Sequence, residues 1–252
     1  MKKSLRVLAP LAAAAVPLAF AAGPALADSG ASYQATLNPI NHQTGSGMLM
    51  LALNGDTATI TESWSGLAAT FNGGAYPHVQ HIHIGAKGVC PTMAADKNGD
   101  GVISTTEGGP SYGGIGTTLS TKGDTSPAAG TNIKIAPAGG STSYHRVITL
   151  DPKVVSALSD GTAVIVVHGD DPSTLSAKAQ KEKSDLVPSL PLAATSPALC
   201  GTVHAMPAGG VATGSGSTAG VEDSGLLALA GGLFAVAAGS ALYAVRRKPA
   251  RV

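Results

Sequence analysis

The segment HVQHIHIG, residues 78–85, carries three of the seven histidines of a 252-residue chain. Its second part, QHIHIG (80–85), alternates polar and apolar residues in the way a β-strand with one face on a core does. Because alternate residues of a strand share a face, we expect His81 and His83 to point the same way, about 6.6 Å apart. Ile82 and Ile84 then point into the core. The segment therefore predicts a core strand that carries two neighbouring histidines.

Short alternating runs of the same kind recur along the chain and are separated by turn-forming sequences such as Asn54-Gly55-Asp56. Strands of this length and spacing predict one all-β domain over residues 28–204, an antiparallel sandwich or flattened barrel. The other predicted strands are SYQATLN (32–38), SGMLMLAL (46–53), TATITESW (57–64), NIKIA (132–136), SYHRVITL (143–150) and TAVIVVHG (162–169).

Two segments favour helix instead. Asp151 and Pro152 form an N-cap followed by a proline at the first helical position, and Gly161 lies just past the expected end. Residues 173–185 are expected to add a turn or two at the surface.

Both ends of the chain look like membrane signals. Residues 1–27 have a basic start, an apolar run and an Ala25-Leu26-Ala27 cleavage pattern, which are typical of a secretory signal peptide. Residues 225–245 form an uncharged apolar stretch long enough for a transmembrane helix, and the basic tail 246–252 is expected to stay cytoplasmic. The Gly/Ser/Thr-rich residues 205–224 predict a flexible linker between domain and membrane.

This linker, apolar span and basic tail resemble a Gram-positive cell-wall sorting signal. The usual Leu-Pro-x-Thr-Gly motif is missing, and only Thr213-Gly214 keeps a Thr-Gly pair as a candidate cleavage point. The high alanine and glycine content is typical of an actinobacterial surface protein. Two outcomes stay open: transfer by a sortase to cell-wall peptidoglycan, or retention in the membrane.

The exported part of the chain is acidic. Three of the 16 basic residues lie in the leader and four in the tail, whereas all 15 acidic residues lie between them. The segment outside the cell therefore carries about −6, which argues against a nucleic-acid partner and is compatible with cation binding.

Cys90 and Cys200 are the only cysteines. In an oxidising compartment they predict one disulfide that closes a long loop.

Residues 96–107, DKNGDGVISTTE, match the twelve-residue EF-hand calcium loop. Calcium prefers six to eight oxygen ligands, which alternating side chains around the glycine at position 6 supply. The sequence Gly108-Gly109-Pro110 argues against a helix after the loop, so we expect an isolated loop with structural calcium inside a β-domain. The expected ligands are Asp96, Asn98, Asp100, the Val102 carbonyl, Ser104 and a bidentate Glu107.

A His-x-His pair on one sheet face is an incomplete metal site, because zinc or copper needs at least one further ligand. The sequence offers three candidates for it, His168, His78 and His145. Spacing alone leaves the choice open between a metal site and a solvated histidine face.

Residues 35–85, from ATLNPINHQTG through NGDTATITESWSGL to HVQHIHIG, resemble the CHRD domain, a secreted β-sandwich. The later half is similar to the related copper/zinc superoxide dismutase fold, which implies an antiparallel Greek-key sandwich or flattened barrel. His81-Ile82-His83, Gly88-Val89-Cys90, Val166-Val167-His168 and Leu199-Cys200-Gly201 match its motifs. The resemblance implies a Cys90–Cys200 bridge and a copper or zinc site formed by His81, His83 and His168.

Two departures from the dismutases weaken a catalytic assignment. No histidine occurs between His83 and His145, where the family has its bridging and zinc-ligand histidines. Pro197 stands where the family has the arginine that guides superoxide. We therefore expect a non-catalytic, surface-anchored module that binds calcium and a transition metal. The alternatives are a copper-dependent dismutase-like enzyme and a protein of copper or zinc storage or delivery.

Overall fold

The computed structural model describes residues 30–207. The predicted signal peptide (1–27), the transmembrane segment (225–245), the basic tail (246–252), Thr213, Gly214 and all of the linker beyond residue 207 lie outside the described residues. Within residues 30–207, no helix has the length and apolar character that crossing a membrane requires.

The described chain is mostly β-strand. The strands are β1 (Ala31–Pro39), β2 (Ser46–Asn54), β3 (Thr57–Ser65), β4 (Thr70–Phe71), β5 (Gly74–Ala75), β6 (Gln80–Ile84), β7 (Gly114–Thr118), β8 (Ser141–Thr149), β9 (Val164–His168), β10 (Pro197–Thr202) and β11 (His204–Ala205). The two α-helices are α1 (Thr105–Tyr112) and α2 (Pro152–Ser159).

Nine of the strands form one antiparallel sheet in the order β7-β6-β9-β10-β1-β2-β3-β8, with β11 also on β1, and β4 and β5 form a separate two-stranded sheet. Strand β1 joins the two halves of this sheet: residues 31–37 pair with β2, and its end pairs with β10 at Asn38 and Cys200. The sheet therefore curls around a core to which both halves contribute. An all-β antiparallel fold is confirmed, and the curled sheet is compatible with a β-sandwich.

The alternating sequence patterns predicted most of these strands. Six of the seven predicted segments form strands at the expected positions, and the helix after Asp151 begins and ends as expected. The prediction for residues 132–136 was wrong, because Ile133–Ile135 form a 3₁₀ turn. The Asn132 side chain accepts from the Lys134 amide and so starts that turn.

The expectation that no helix follows residue 107 was also wrong, since α1 begins directly after Ser104. Ser104 and Glu107 form a capping box in which each side chain accepts from the other's backbone amide. Pro110 costs one backbone hydrogen bond near the end of this short helix. Gly108 lies against the ring of Tyr112, where a larger side chain would collide. The cap and this contact stabilise a helix that composition alone disfavours.

The predicted disulfide is confirmed. Cys90 and Cys200 are joined with a Cα–Cα distance of 5.8 Å and a sequence separation of 110 residues. Closing a loop of this length is worth up to about 4.7 kcal/mol on the chain-entropy model. The bridge packs with a small apolar cluster formed by Tyr112, Val164 and Val166 on the outer side of β9.

One carboxyl group lies inside the apolar core. Glu62 of β3 is fully buried, and neither of its oxygens has a hydrogen-bond partner. The hydroxyl of Tyr144, its cross-strand neighbour on β8, also has none. Burial raises the pKa of Glu62 to about 8, because the charged form loses its hydration.

We predict that Glu62→Gln flattens the pH dependence of stability. The folded protein keeps a proton on Glu62 up to about pH 8, whereas the unfolded chain releases it near 4.5. The stabilisation by protonated Glu62 is therefore complete below pH 4.5 and is lost as the pH rises through about 8. Urea unfolding should show the Glu62→Gln variant gaining stability over the wild type between about pH 5 and about pH 8.5. Asp56→Asn, a substitution at an exposed turn, should show no such trend. An equal trend in the two variants would refute the raised pKa of Glu62.

Candidate metal centre

Three histidines meet on the face of the sheet that lies opposite the core. His81 and His83 extend from β6, and His168 ends the neighbouring strand β9. Their ring centroids lie 5.2 to 5.8 Å apart, and one ring nitrogen of each lies within 4.8 Å of the other two. Ile82 lies in the core and Ile84 packs against it, as predicted.

Backbone carbonyls fix the orientation of each imidazole. His81 donates from Nε2 to the Gly130 carbonyl at 3.0 Å. His83 donates from Nδ1 to the Gly113 carbonyl at 2.9 Å, and His168 donates from Nδ1 to the Thr195 carbonyl at 2.7 Å. Since a carbonyl only accepts, each of these nitrogens carries the proton. The other nitrogen of each ring then carries no proton, and its lone pair can bind a metal.

Those three remaining nitrogens have no hydrogen-bond partner. They are Nδ1 of His81, Nε2 of His83 and Nε2 of His168, all buried. A buried polar atom without a partner costs free energy, and such atoms are rare in folded proteins. A bound metal ion would satisfy all three at once, so the arrangement can hold one ion.

Burial keeps the three rings neutral. It lowers the pKa of His83 to about 3 and that of His168 to about 4, since the charged imidazolium would lose its hydration. The pKa of His81 is lowered well below its usual value by burial first, and then by the proximity of the other two histidines. Neutral imidazole is the form that binds metals, so protons do not compete for this site near neutral pH.

Helix α1 supports two of the three rings. The ring of Tyr112, its last residue, packs edge-on against His83 with centroids 4.6 Å apart. Gly113, directly after the helix, supplies the carbonyl that accepts from His83. At the other end, the Thr105 hydroxyl donates at 2.6 Å to the Thr195 carbonyl, which also accepts from His168.

A cavity of about 370 Å³ lies in front of the histidines, and all three line it. Its wall comes from α1, from β7, from the turn after Gly130 and from the loop between β9 and β10. No Asp, Glu, Lys or Arg is among the described residues that line it.

The structure decides between the candidate third ligands. His78 is buried, but both of its ring nitrogens contact backbone carbonyls, those of Ala68 and His168, so neither is free. His145 is exposed on the outer face of β8 beside Thr61. Of these three candidates, only His168 joins the pair on β6.

The predicted calcium loop, residues 96–107, closes on itself through its own side chains. The Asp96 carboxylate accepts from two loop amides at 2.8 and 2.9 Å. Glu107 joins the two ends of the loop, accepting from the Lys97 amide at 2.8 Å and the Ser104 amide at 2.9 Å. Asn98 donates to Asp100 at 2.9 Å.

The acidic groups of this loop do not converge as the histidines do. Among residues 30–207, the group His81, His83 and His168 is the only set of three His, Cys, Asp or Glu whose ligand atoms all lie within 4.8 Å of one another. Val102 is buried with Leu175 and Leu192, so the loop is attached to the domain through a small apolar cluster.

Comparison with known proteins adds no assignment: no family model and no curated protein matches this chain. The site therefore has to be interpreted from its own geometry.

Several supporting residues could not be found from sequence. Gly113, Gly130 and Thr195 act through backbone carbonyls, which leave no residue-type signature. Gly113 gives a partial signal, because its φ of 92° favours glycine and a Cβ there would collide with the Ile84 carbonyl. The residues that line the cavity come from five stretches of the chain, within 77–83, 105–115, 130–133, 186–195 and at His168, which only the fold brings together.

We predict that Gly113→Ala disrupts the orientation of His83. The new Cβ must displace the Ile84 carbonyl and the backbone that accepts from His83, at a cost of about 1–3 kcal/mol in stability. Zinc affinity, measured by calorimetry, should fall about 10- to 100-fold. Gly114→Ala is the matched control, because a Cβ at Gly114 meets open space. Equal affinities of the two variants would contradict this role of Gly113.

Proposed function

We propose that this protein is an extracytoplasmic β-sandwich module that binds one copper or zinc ion through His81, His83 and His168. One observation carries this proposal: the three histidines are close enough for one ring nitrogen of each to lie within 4.8 Å of the other two, and each keeps a buried ring nitrogen without a hydrogen-bond partner. Imidazole nitrogen suits both metals, and three protein ligands leave one coordination position open.

The fold supports the proposed relation to the CHRD and superoxide dismutase-like sandwiches. A His-x-His strand lies beside a strand that ends in His168, and a Cys90–Cys200 bridge lies nearby, as that resemblance implies. The Greek-key assignment rests on the same resemblance.

Binding without dismutase turnover is the better-supported function. Pro197 pairs with His168 in the sheet, at the position where the dismutases carry their guiding arginine. The cavity in front of the histidines has no charged residue in its described lining, so no side chain there guides a superoxide anion toward the metal. Copper-dependent dismutation is the competing function.

We further propose that the domain is displayed at the cell surface. The disulfide is consistent with an extracytoplasmic location, since such bonds persist in oxidising compartments. The anchor itself rests on sequence alone: the leader 1–27, the apolar segment 225–245, and cleavage between Thr213 and Gly214 if a sortase acts.

Calcium at residues 96–107 is proposed as a structural ion. The match to the EF-hand pattern supports it, as does the left-handed backbone of the loop glycines Gly99 and Gly101, with φ of 69° and 88°. Glu182, from the loop before β10, accepts from the side-chain amide of Asn98 at 3.4 Å and adds a carboxylate beside the loop. Ion binding requires Glu107 to exchange its amide contacts for calcium.

We predict one equivalent of zinc or copper(II) per protein, with an affinity that hardly changes between about pH 7.5 and about pH 5.5. The pKa values of His83 and His168, about 3 and about 4, keep both rings neutral over this range. A site of three exposed histidines would lose about 10³-fold over the same range, because each would titrate near 6.5. Isothermal titration calorimetry at the two pH values measures this.

His168→Gln should abolish high-affinity binding, whereas the exposed His145→Gln should not change it. Absence of stoichiometric metal in the wild type would refute the proposed function. Metal binding together with rapid superoxide consumption by the copper form would instead establish the dismutase alternative.

For calcium, we predict that millimolar Ca²⁺ raises the Tm of the wild type by about 3–6 °C. This corresponds to about 1.4 kcal/mol for an ion present at ten times its Kd. Asp96→Ala should remove the calcium-dependent rise, in addition to lowering the Tm in EDTA through the loss of its two amide contacts. Asp56→Ala, at an exposed turn, should keep the rise. If EDTA leaves the wild-type melting curve unchanged, structural calcium is wrong.

A further inference from the structure

The cavity in front of the three histidines is larger than a metal-bound water or dioxygen species needs. A water molecule takes about 30 Å³ of liquid volume. The cavity, at about 370 Å³, lies within the range of small-molecule sites in proteins. A metal with three histidine ligands and one open position would present that position to a space for an organic molecule.

The lining of this cavity defines the chemistry of its occupant. Val79, Ile115, Val187 and Leu190 contribute apolar side chains, and no described residue that lines the cavity is an Asp, Glu, Lys or Arg. A charge on the part of a ligand that contacts this wall would lose its hydration without gaining an ion pair, which is costly. A neutral, apolar molecule would gain binding free energy by burying its surface there.

The mouth of the cavity is apolar as well. Ile133 and Leu186 line it, and both are exposed, by 56% and 50%. They come from two separate segments, the 3₁₀ turn Ile133–Ile135 and the loop between β9 and β10. Exposed hydrophobic side chains beside an apolar cavity are typical of an entrance for an apolar ligand.

We propose that this cavity binds a neutral, mostly apolar molecule that carries one nitrogen or oxygen donor, which occupies the open position of the metal held by His81, His83 and His168. This inference rests on the proposed function, because the metal supplies the polar contact that the cavity wall lacks. The apolar wall holds the remainder of the ligand.

The test uses 4-phenylimidazole, a neutral aromatic azole, on the zinc-loaded and cobalt(II)-loaded protein. It should bind about 10- to 100-fold more tightly than imidazole, since its phenyl ring adds apolar surface to bury. Its binding should also change the visible absorption of the cobalt(II) form, which reports a new ligand on the metal. A charged analogue, 4-(imidazol-4-yl)benzoate, should lose this advantage.

Two pairs of variants locate the binding. Leu186→Asp introduces a charge at the mouth and should weaken 4-phenylimidazole binding by about 10-fold or more. Val147→Asp is its matched control, at a side chain 59% exposed on β8. Ala194→Phe fills the cavity and should have the same effect as Leu186→Asp, whereas Ala52→Phe, on an exposed position of β2, should not.

The outcomes separate the two proposals. Stoichiometric zinc with equal affinity for imidazole and 4-phenylimidazole, or an unchanged cobalt spectrum, overturns the ligand inference and leaves metal binding standing. Absence of zinc binding overturns the proposed function and this inference with it. Preferential binding that Leu186→Asp and Val147→Asp weaken equally also overturns the cavity as the site.

Discussion

The antiparallel pairing of β6 with β9 is the constraint on which the candidate metal centre depends. Its register sets His81 opposite Val166, and the His168 amide donates to the Val79 carbonyl at 2.9 Å. The residues that alternate with the histidines along β6 and β9 face the core, where Ile82 and Ile165 pack. A shift of one residue in this register would exchange the two faces and put the histidines into the core.

This pairing places polar rings on a face that is also buried. The outer side of β6 and β9 is covered by α1 and by the loop before β10, which leave His81, His83 and His168 each 2–3% exposed. Each uncompensated ring nitrogen costs about 1–3 kcal/mol. Three unpartnered nitrogens so close together lower the free energy of unfolding. A bound ion would offset this loss, so it explains the arrangement better than packing does.

Sequence reasoning succeeded where the signal is local. Alternation along β6 predicted that His81 and Ile82 face opposite ways, and Asp151 with Pro152 predicted the start of α2. The Cys90–Cys200 bridge followed from the count of cysteines. Grouping His168 with the pair on β6 needed the family resemblance, because β6 and β9 lie far apart in the sequence and spacing alone left His78 and His145 as equal candidates.

Sequence reasoning failed where a tertiary contact or a helix cap overrides amino-acid composition. Gly108 and Pro110 disfavour a helix, yet the capping box of Ser104 and Glu107 and the packing of Tyr112 produce one. The backbone carbonyls that orient the imidazoles were also beyond prediction, since any residue supplies a carbonyl. The cavity arises from segments that have no common sequence pattern.

Helix α1 joins the two candidate ion sites. It begins where the loop 96–107 ends, and its Thr105 hydroxyl shares the Thr195 carbonyl with His168. It ends at Gly113, whose carbonyl accepts from His83. Glu107 caps the first turn of this helix, so a contiguous set of contacts connects it to two of the three histidine rings. The loop 96–107 therefore supports the histidine site through α1. Substitutions in the loop should be tested for their effect on calcium binding and on the histidine site.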